Sequence, residues 1–106
     1  MNNADYLAVY TTIDQRDAAR QIARTVVERR LAACVHISEI ESFYSWNQAI
    51  QNDVEFRITF KTTASNFGAL KQAIHELHSY DVPAIYAIQL DNIDEHYAAW
   101  IKANVE

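Results

Sequence analysis

A chain of 106 residues, half of them apolar, is long enough to build one domain around a real core, and we place that domain at residues 1–106. The net charge of −5 and the lack of any Lys/Arg cluster argue against nucleic acid or anionic lipid as a partner, because both require a concentrated basic surface. No apolar run approaches the ~20 residues of a membrane span, so we expect no membrane contact. Met1–Asp5 lacks the pattern of a secretion signal, and a single cysteine agrees with a reducing compartment, so we expect a cytoplasmic location.

The first two predicted elements are a strand and an amphipathic helix. Residues 6–12 are rich in β-forming side chains and predict strand 1. Asp14 is the predicted N-cap of helix 1, which should end near Arg30, and Asp17 faces the positive end of its dipole. The helix carries an apolar stripe at i, i+4 spacing. Its members are Ala18, Ala19, Ile22, Ala23, Val26 and Val27.

Two further strands follow. The pattern is extended from Ala33 to about Trp46, which predicts strand 2. In strand 3, apolar and polar residues alternate with the period of two that marks a half-buried strand. The apolar set, expected to face the helices, is Val54, Phe56, Ile58 and Phe60, and the polar set is Glu55, Arg57, Thr59 and Lys61.

The C-terminal half predicts a helix, a strand and a last helix. Helix 2 should begin near Ser65 and turn Phe67, Leu70, Ile74 and Leu77 inward. Residues 84–90 predict strand 4, and Asn92 with Glu95 resembles a capping box that opens helix 3, which holds Tyr97, Trp100 and Ile101. The order β-α-β-β-α-β plus a C-terminal helix predicts an α+β fold of the ferredoxin-like split βαβ type, an antiparallel sheet with helices on one face.

Strand 2 is too long for a monomer. Thirteen residues from Cys34 to Trp46 span about 43 Å at ~3.3 Å each, whereas a domain of this size has a radius of gyration near 13 Å. The overhang carries Phe43, Tyr44 and Trp46, which are costly to leave in water. We therefore favour an intermolecular role for it, the alternative being a bulge or bend between Ser38 and Glu41 that shortens its reach.

Strand parity collects polar groups on the sheet face away from the helices. If Val35 and Ile37 point toward the helices, Cys34 and His36 point to the other face, together with the polar set of strand 3. A thiolate and an imidazole suit copper or zinc. The alternative is that Cys34 is simply a small buried hydrophobe.

The remaining histidines offer weaker signals. His75 and His78 are three residues apart on helix 2 and are expected on one face of it. His75 is interpreted as a solvent-side or interface residue, and His96 as helix surface. A nucleophilic role for Cys34 would need a positioned base, and only His36 is near, with its Cα about 6.6 Å away. We therefore expect no enzymatic activity.

Several segments, in this order and spacing, resemble the CutA family of divalent-cation tolerance proteins. They are Leu31–Val35, Tyr44–Trp46, Glu55, Lys61–Thr63 and His78–Pro83. The likeness runs from about Tyr6 to Asn104. It implies the ferredoxin-like fold, a homotrimer intertwined through long hairpins, and an association with copper and other divalent ions.

For the metal, the resemblance implies Cys34 as a ligand and His78 as a residue at a family position. The chain also departs from the family. Tyr10 stands where some members have a second cysteine, and Leu77 replaces the first of two histidines. Because two ligand positions are missing, any copper or other divalent cation is expected to bind weakly.

The resemblance further implies a small-ligand cleft between subunits. The residues that match the family there are Trp46, Glu55, Lys61, Tyr80 and Asp81. The alternative for Lys61 and Glu55 is a solvated ion pair worth under about 1 kcal/mol. The hairpin tip Gln48–Ala49 has lost a glycine and a charge found in the family, and Ala84 replaces a common acidic residue.

The leading hypothesis is a trimeric CutA-like protein that binds divalent metal, copper in particular, and takes part in the response to metal ions. The alternative is a trimer resembling the PII regulators, which would bind a small anion between subunits without metal chemistry. A third is a structural trimer whose clefts are incidental.

Overall fold

The structure, a computed structural model, describes residues 5–106. Residues 1–4 lie outside the described part, and so does most of the Met1–Asp5 segment from which the lack of a secretion signal was predicted. The elements run in the order β1 (Tyr6–Ile13), α1 (Arg16–Glu28), β2 (Cys34–Trp46), β3 (Ala49–Thr63), α2 (Phe67–Leu77), β4 (Tyr86–Gln89) and α3 (Glu95–Ala103). No helix within residues 5–106 has both the length and the apolar character to cross a bilayer.

The sheet is antiparallel with the strand order β2-β3-β1-β4, as the split βαβ prediction requires. Helices α1 and α2 cover one face, over a core formed by alternate residues of the central strands. This core contains Leu7, Val9, Ile13, Ile22, Val26, Phe56, Ile58, Phe60, Leu70 and Ile74. The predicted inward stripes of α1 and β3 are confirmed there, except that Val27 and Val54 are largely exposed.

Helix α3 packs against the other face. Tyr6 has the opposite parity to Leu7, and it is buried with Ala98 and Ile101 of α3. The aromatic side chains of this helix do not all turn inward: Tyr97 and Trp100 stack on each other and stay partly exposed. We call the face that carries Cys34, His36, Arg57 and Lys61 the open face, because α3 covers only one end of it.

Two predicted helix caps are wrong. The N-cap of α1 is Gln15, without a side-chain hydrogen bond, rather than Asp14, because β1 continues through Ile13. The start of α1 is anchored instead by Arg16, which bonds Glu39 at 3.2 Å and lies over the Phe56 ring. The N-cap of α3 is Asp94, not Asn92, and its carboxylate accepts from the backbone N–H groups of the next turn.

The β2–β3 hairpin is unbroken. Its register runs without interruption from Cys34 opposite Lys61 to Trp46 opposite Ala49, so the predicted alternative of a bulge between Ser38 and Glu41 is wrong. The turn uses Asn47 and Gln48, both with positive φ, in place of glycine. The molecule is consequently 46 Å long but only 26 × 21 Å across.

The projecting part of the hairpin leaves large apolar side chains in solvent on both faces. Trp46 is 64% exposed on the open side, whereas Phe43 and Ile50 are 67% and 74% exposed on the opposite side. Surface of this kind, contiguous and on both sides of one ribbon, is typical of a protein–protein contact. The hairpin therefore leaves its apolar side chains uncovered within residues 5–106.

Candidate functional site

The sequence-predicted metal residues Cys34 and His78 lie apart. Cys34 begins β2 and pairs with Lys61, whereas the His78 ring reaches the backbone of Thr12, which pairs with Arg57. The four residues between these register positions correspond to about 13 Å along the strands. A single chain thus does not bring the two side chains together.

The prediction that His75 and His78 lie on one face of helix 2 is wrong. Helix α2 ends at Leu77, and His78 is its C-cap with an extended backbone. The ring is almost buried, and both of its nitrogens have backbone partners. Nδ1 accepts from the Tyr80 N–H at 3.1 Å, which leaves Nε2 protonated to donate to the Thr12 carbonyl at 2.7 Å. His78 therefore fixes the turn that carries Tyr80.

Tyr80 completes a contact between that turn and the sheet. Its hydroxyl donates to Glu55 Oε2 at 2.8 Å, and its ring lies 4.7 Å from the His78 ring. Burial raises the pKa of the Tyr80 phenol well above its ordinary value, and the hydrogen bond to Glu55 and the negative charge of that carboxylate raise it further. This pair is the part of the predicted ligand set that one chain assembles.

The other members of that set are distant or exposed. Glu55 lies six residues along β3 from Lys61 and six from Ala49, the partner of Trp46, which is about 20 Å in each direction. Asp81 is exposed beside Tyr80. Trp46, Glu55 and Lys61 share the open face, but in one chain they are spread along it.

A second tyrosine–carboxylate pair lies beside the first. The Tyr44 hydroxyl donates to Asp53, and Tyr44 and Asp53 belong to the neighbouring strands β2 and β3. The hydrogen bond and the Asp53 charge raise the pKa of the Tyr44 phenol, together with slight burial. The middle of the open face therefore carries two carboxylates, each of which accepts a hydrogen bond from a tyrosine hydroxyl.

Cys34 has a neighbour, His36, that is not among the metal ligands implied by the family resemblance. The imidazole Nε2 of His36 lies 3.4 Å from Cys34 Sγ, since residues two apart on a strand share a face. Burial raises the pKa of the Tyr97 phenol on α3, and the neighbouring Cys34 side chain raises it further. Strand parity predicted that the Cys34 and His36 side chains share a face, and their 3.4 Å contact confirms it.

No group of three or more His, Cys, Asp or Glu side chains within residues 5–106 could hold a metal ion. An open groove of about 440 Å³ lies between α1 and β2 and is lined by Ala23, Arg24, Val27, Glu28 and Val35. Another of about 290 Å³ is lined by Asp5, Tyr6, Thr63, Ala64, Ser65 and Lys102. Neither groove includes a predicted site residue.

The Glu55–Tyr80 pair provides a test by titration. Because the phenol has a higher pKa in the folded than in the unfolded chain, its contribution to stability is present below pH 10 and is lost as the pH rises beyond that value. When the tyrosinate absorbance of Tyr80→Phe is titrated beside that of the wild type, we expect the variant to lack one phenol, the one whose pKa lies above the ordinary value for tyrosine. The stability of the variant should also fall less steeply above pH 10. A missing phenol that ionises near pH 10 would contradict the assignment.

The chain is similar to known proteins over almost its whole length. The family model described as CutA1 divalent ion tolerance protein matches residues 7–104. The divalent-cation tolerance protein CutA of Pyrococcus horikoshii is 38% identical over 95 residues, which cover 90% of this chain and 93% of that protein. The solved structure of CutA from Synechococcus elongatus has a TM-score of 0.96 at 32% identity, and the match covers 100% of this chain and 95% of the S. elongatus chain. The solved structure of the periplasmic divalent cation tolerance protein CutA from Archaeoglobus fulgidus has a TM-score of 0.92 at 33% identity, and the match covers 95% of this chain and 99% of the A. fulgidus chain.

Proposed function

The chain belongs to the CutA1 divalent ion tolerance family, and on this premise we propose that it is a one-domain homotrimer that binds divalent metal ions, copper among them, and takes part in metal tolerance. The role is one of binding rather than catalysis. The proteins it resembles are named for tolerance to divalent cations. On the open face, the Cys34 thiol and the His36 imidazole are 3.4 Å apart, but no third side chain among residues 5–106 is hydrogen-bonded to His36 to orient it as a base.

The assembly is supported by the two free edges of the sheet. β2 and β4 are the outer strands, so each has one row of backbone N–H and C=O groups without a partner strand among residues 5–106. Pairing the edge of one copy with the opposite edge of the next is a heterologous contact, which closes into a ring when the rotation permits. Three copies would cover the hairpin on both faces, and the number three rests on the family resemblance.

The metal-binding part is carried by one observation, the position of Cys34. This thiol, the only one in the chain, is free and half-buried on the open face of the sheet. Thiolate is the ligand type that copper and zinc select. Because no larger donor cluster exists within residues 5–106, the affinity is expected to be weak.

A titration with Cu(I), Cu(II) and Zn(II) tests this proposal. Cys34→Ser should weaken copper binding at least about tenfold, which corresponds to about 1.4 kcal/mol, because a hydroxyl does not replace a soft thiolate. His75→Ala, on the exposed side of α2, is the matched control and should bind as the wild type does. Unchanged copper affinity in Cys34→Ser would remove the basis for the metal-binding function.

We also propose that Trp46, Glu55, Lys61, Tyr80 and Asp81 line a cleft between subunits. One chain assembles only Glu55 with Tyr80, so Trp46 and Lys61 would have to come from neighbouring copies. A panel of small anionic metabolites, titrated beside the metals, tests the cleft. Metabolite binding that is unaffected by Cys34→Ser, without metal binding, would favour the PII-like alternative.

The proposed location is the cytoplasm, because a single cysteine that cannot form an internal disulfide suits a reducing compartment. The A. fulgidus protein is described as periplasmic, so cell fractionation is the appropriate test. Recovery of the protein with the periplasmic fraction would contradict the proposed location.

A further inference from the structure

The metal pair implied by the family resemblance does not fit this chain. Both ring nitrogens of His78 are hydrogen-bonded to the backbone, Nε2 to the Thr12 carbonyl at 2.7 Å and Nδ1 to the Tyr80 N–H at 3.1 Å. The ring is also almost buried. A metal ion could bind His78 only by breaking one of these hydrogen bonds and releasing the turn that carries Tyr80. Cys34 lies about 13 Å farther along the sheet.

Cys34 and His36 have the separation that a shared ion requires. A tetrahedral Zn(II) ion lies about 2.3 Å from a thiolate sulfur and about 2.0 Å from an imidazole nitrogen, which places two such donors about 3.5 Å apart. The observed distance between Sγ and Nε2 is 3.4 Å. The two side chains can therefore occupy two corners of one tetrahedron with little movement of either.

Their surroundings leave room for the other corners. Cys34 is half-buried and His36 exposed, and both lie on β2, an edge strand of the sheet. Tyr97 of α3, which carries a phenol oxygen, lies near Cys34. Lys61 lies directly opposite Cys34 in the register, and its positive charge there opposes the metal. This neighbour limits the affinity and favours a site that binds reversibly.

We infer that Cys34 and His36 form the metal-binding pair of this chain, for a borderline or soft ion such as Zn(II), and that His78 is a structural brace for the Tyr80 turn. This inference rests on the proposed metal-binding function and names its second ligand. On binding, the thiol proton passes to solvent and the sulfur and the free imidazole nitrogen each donate an electron pair to the ion. The remaining positions are open to Tyr97, to water or to a neighbouring subunit.

The test uses the intact protein with Zn(II) and Co(II). His36→Ala should weaken Zn(II) binding at least tenfold by calorimetry, whereas His75→Ala and His96→Ala, at exposed helical positions, should bind as the wild type does. Co(II) should give thiolate-to-metal charge-transfer absorption in the wild type and none in Cys34→Ser. In nitrogen NMR spectra, Zn(II) should shift the ring signals of His36 and leave those of His78 in place.

Two results would overturn the inference in distinguishable ways. If the wild type binds Zn(II) but His36→Ala binds equally well, or if the His78 signals shift, the pair is wrong while the proposed metal-binding function stands. If the wild type binds no Zn(II), Co(II) or copper up to about 1 mM, the pair and the proposed function both fail. Because His36 is exposed, its replacement should leave the melting temperature unchanged and the comparison interpretable.

Discussion

Trp46→Asp should disrupt the proposed trimer. Trp46 is 64% exposed in one chain, at the end of a hairpin that no other element of that chain covers. Covering a large apolar side chain contributes about 1.5–3 kcal/mol, and a carboxylate in the same interface would be buried without a partner. Both effects act at each of three equivalent contacts, so the variant is expected to dissociate or aggregate.

Light scattering after size-exclusion chromatography measures this effect. Asn92→Asp is the matched control, because it adds the same charge at an exposed position before α3, outside the hairpin. The control should keep the mass of the wild-type assembly. A Trp46→Asp protein with unchanged assembled mass would show that the hairpin tip is not part of the contact.

Phe60→Ala should produce the largest loss of stability within the subunit. Phe60 has no exposed surface, and it lies on β3 between Val9 of β1 and Val35 of β2. Removing a fully buried phenylalanine side chain costs about 3–5 kcal/mol, since the surrounding atoms close only part of the cavity. Domains are typically stable by only about 5–15 kcal/mol, so the variant should approach unfolding.

Urea denaturation at one fixed subunit concentration checks this prediction, because the stability of an oligomer depends on concentration. Phe60→Leu keeps most of the volume and should lose less than about 1.5 kcal/mol. A Phe60→Ala midpoint close to that of the wild type would mean that the centre of β3 is not the core.

The strands and helices that were predicted well owe this to periodic burial. Alternation from Phe56 to Phe60 and the stripe through Ile22 and Val26 reflect which face each element buries, and this information is local. The caps were less readable. Asp94 and Asn92 both precede an acidic residue within a turn. The Arg16 side chain at the start of α1 packs on Phe56, which is 40 positions away in the sequence.

The candidate site was only half readable for the same reason. The Cys34–His36 contact follows from strand parity alone. The partner of His78 is the Thr12 carbonyl, 66 residues away, and α2 ends one residue before the histidine. No spacing within the sequence encodes that contact. The proposed convergence of Trp46 and Lys61 with Glu55 would involve neighbouring copies, so it cannot be derived from one chain.

The most direct test is the mass of the wild-type protein in solution. The exposed hairpin and the separation of the proposed cleft residues along one chain are the two observations on which the proposed assembly rests. Sedimentation at micromolar concentration should therefore give about three times the 12.2 kDa mass of one chain. A stable, soluble species of 12.2 kDa would contradict the proposed assembly.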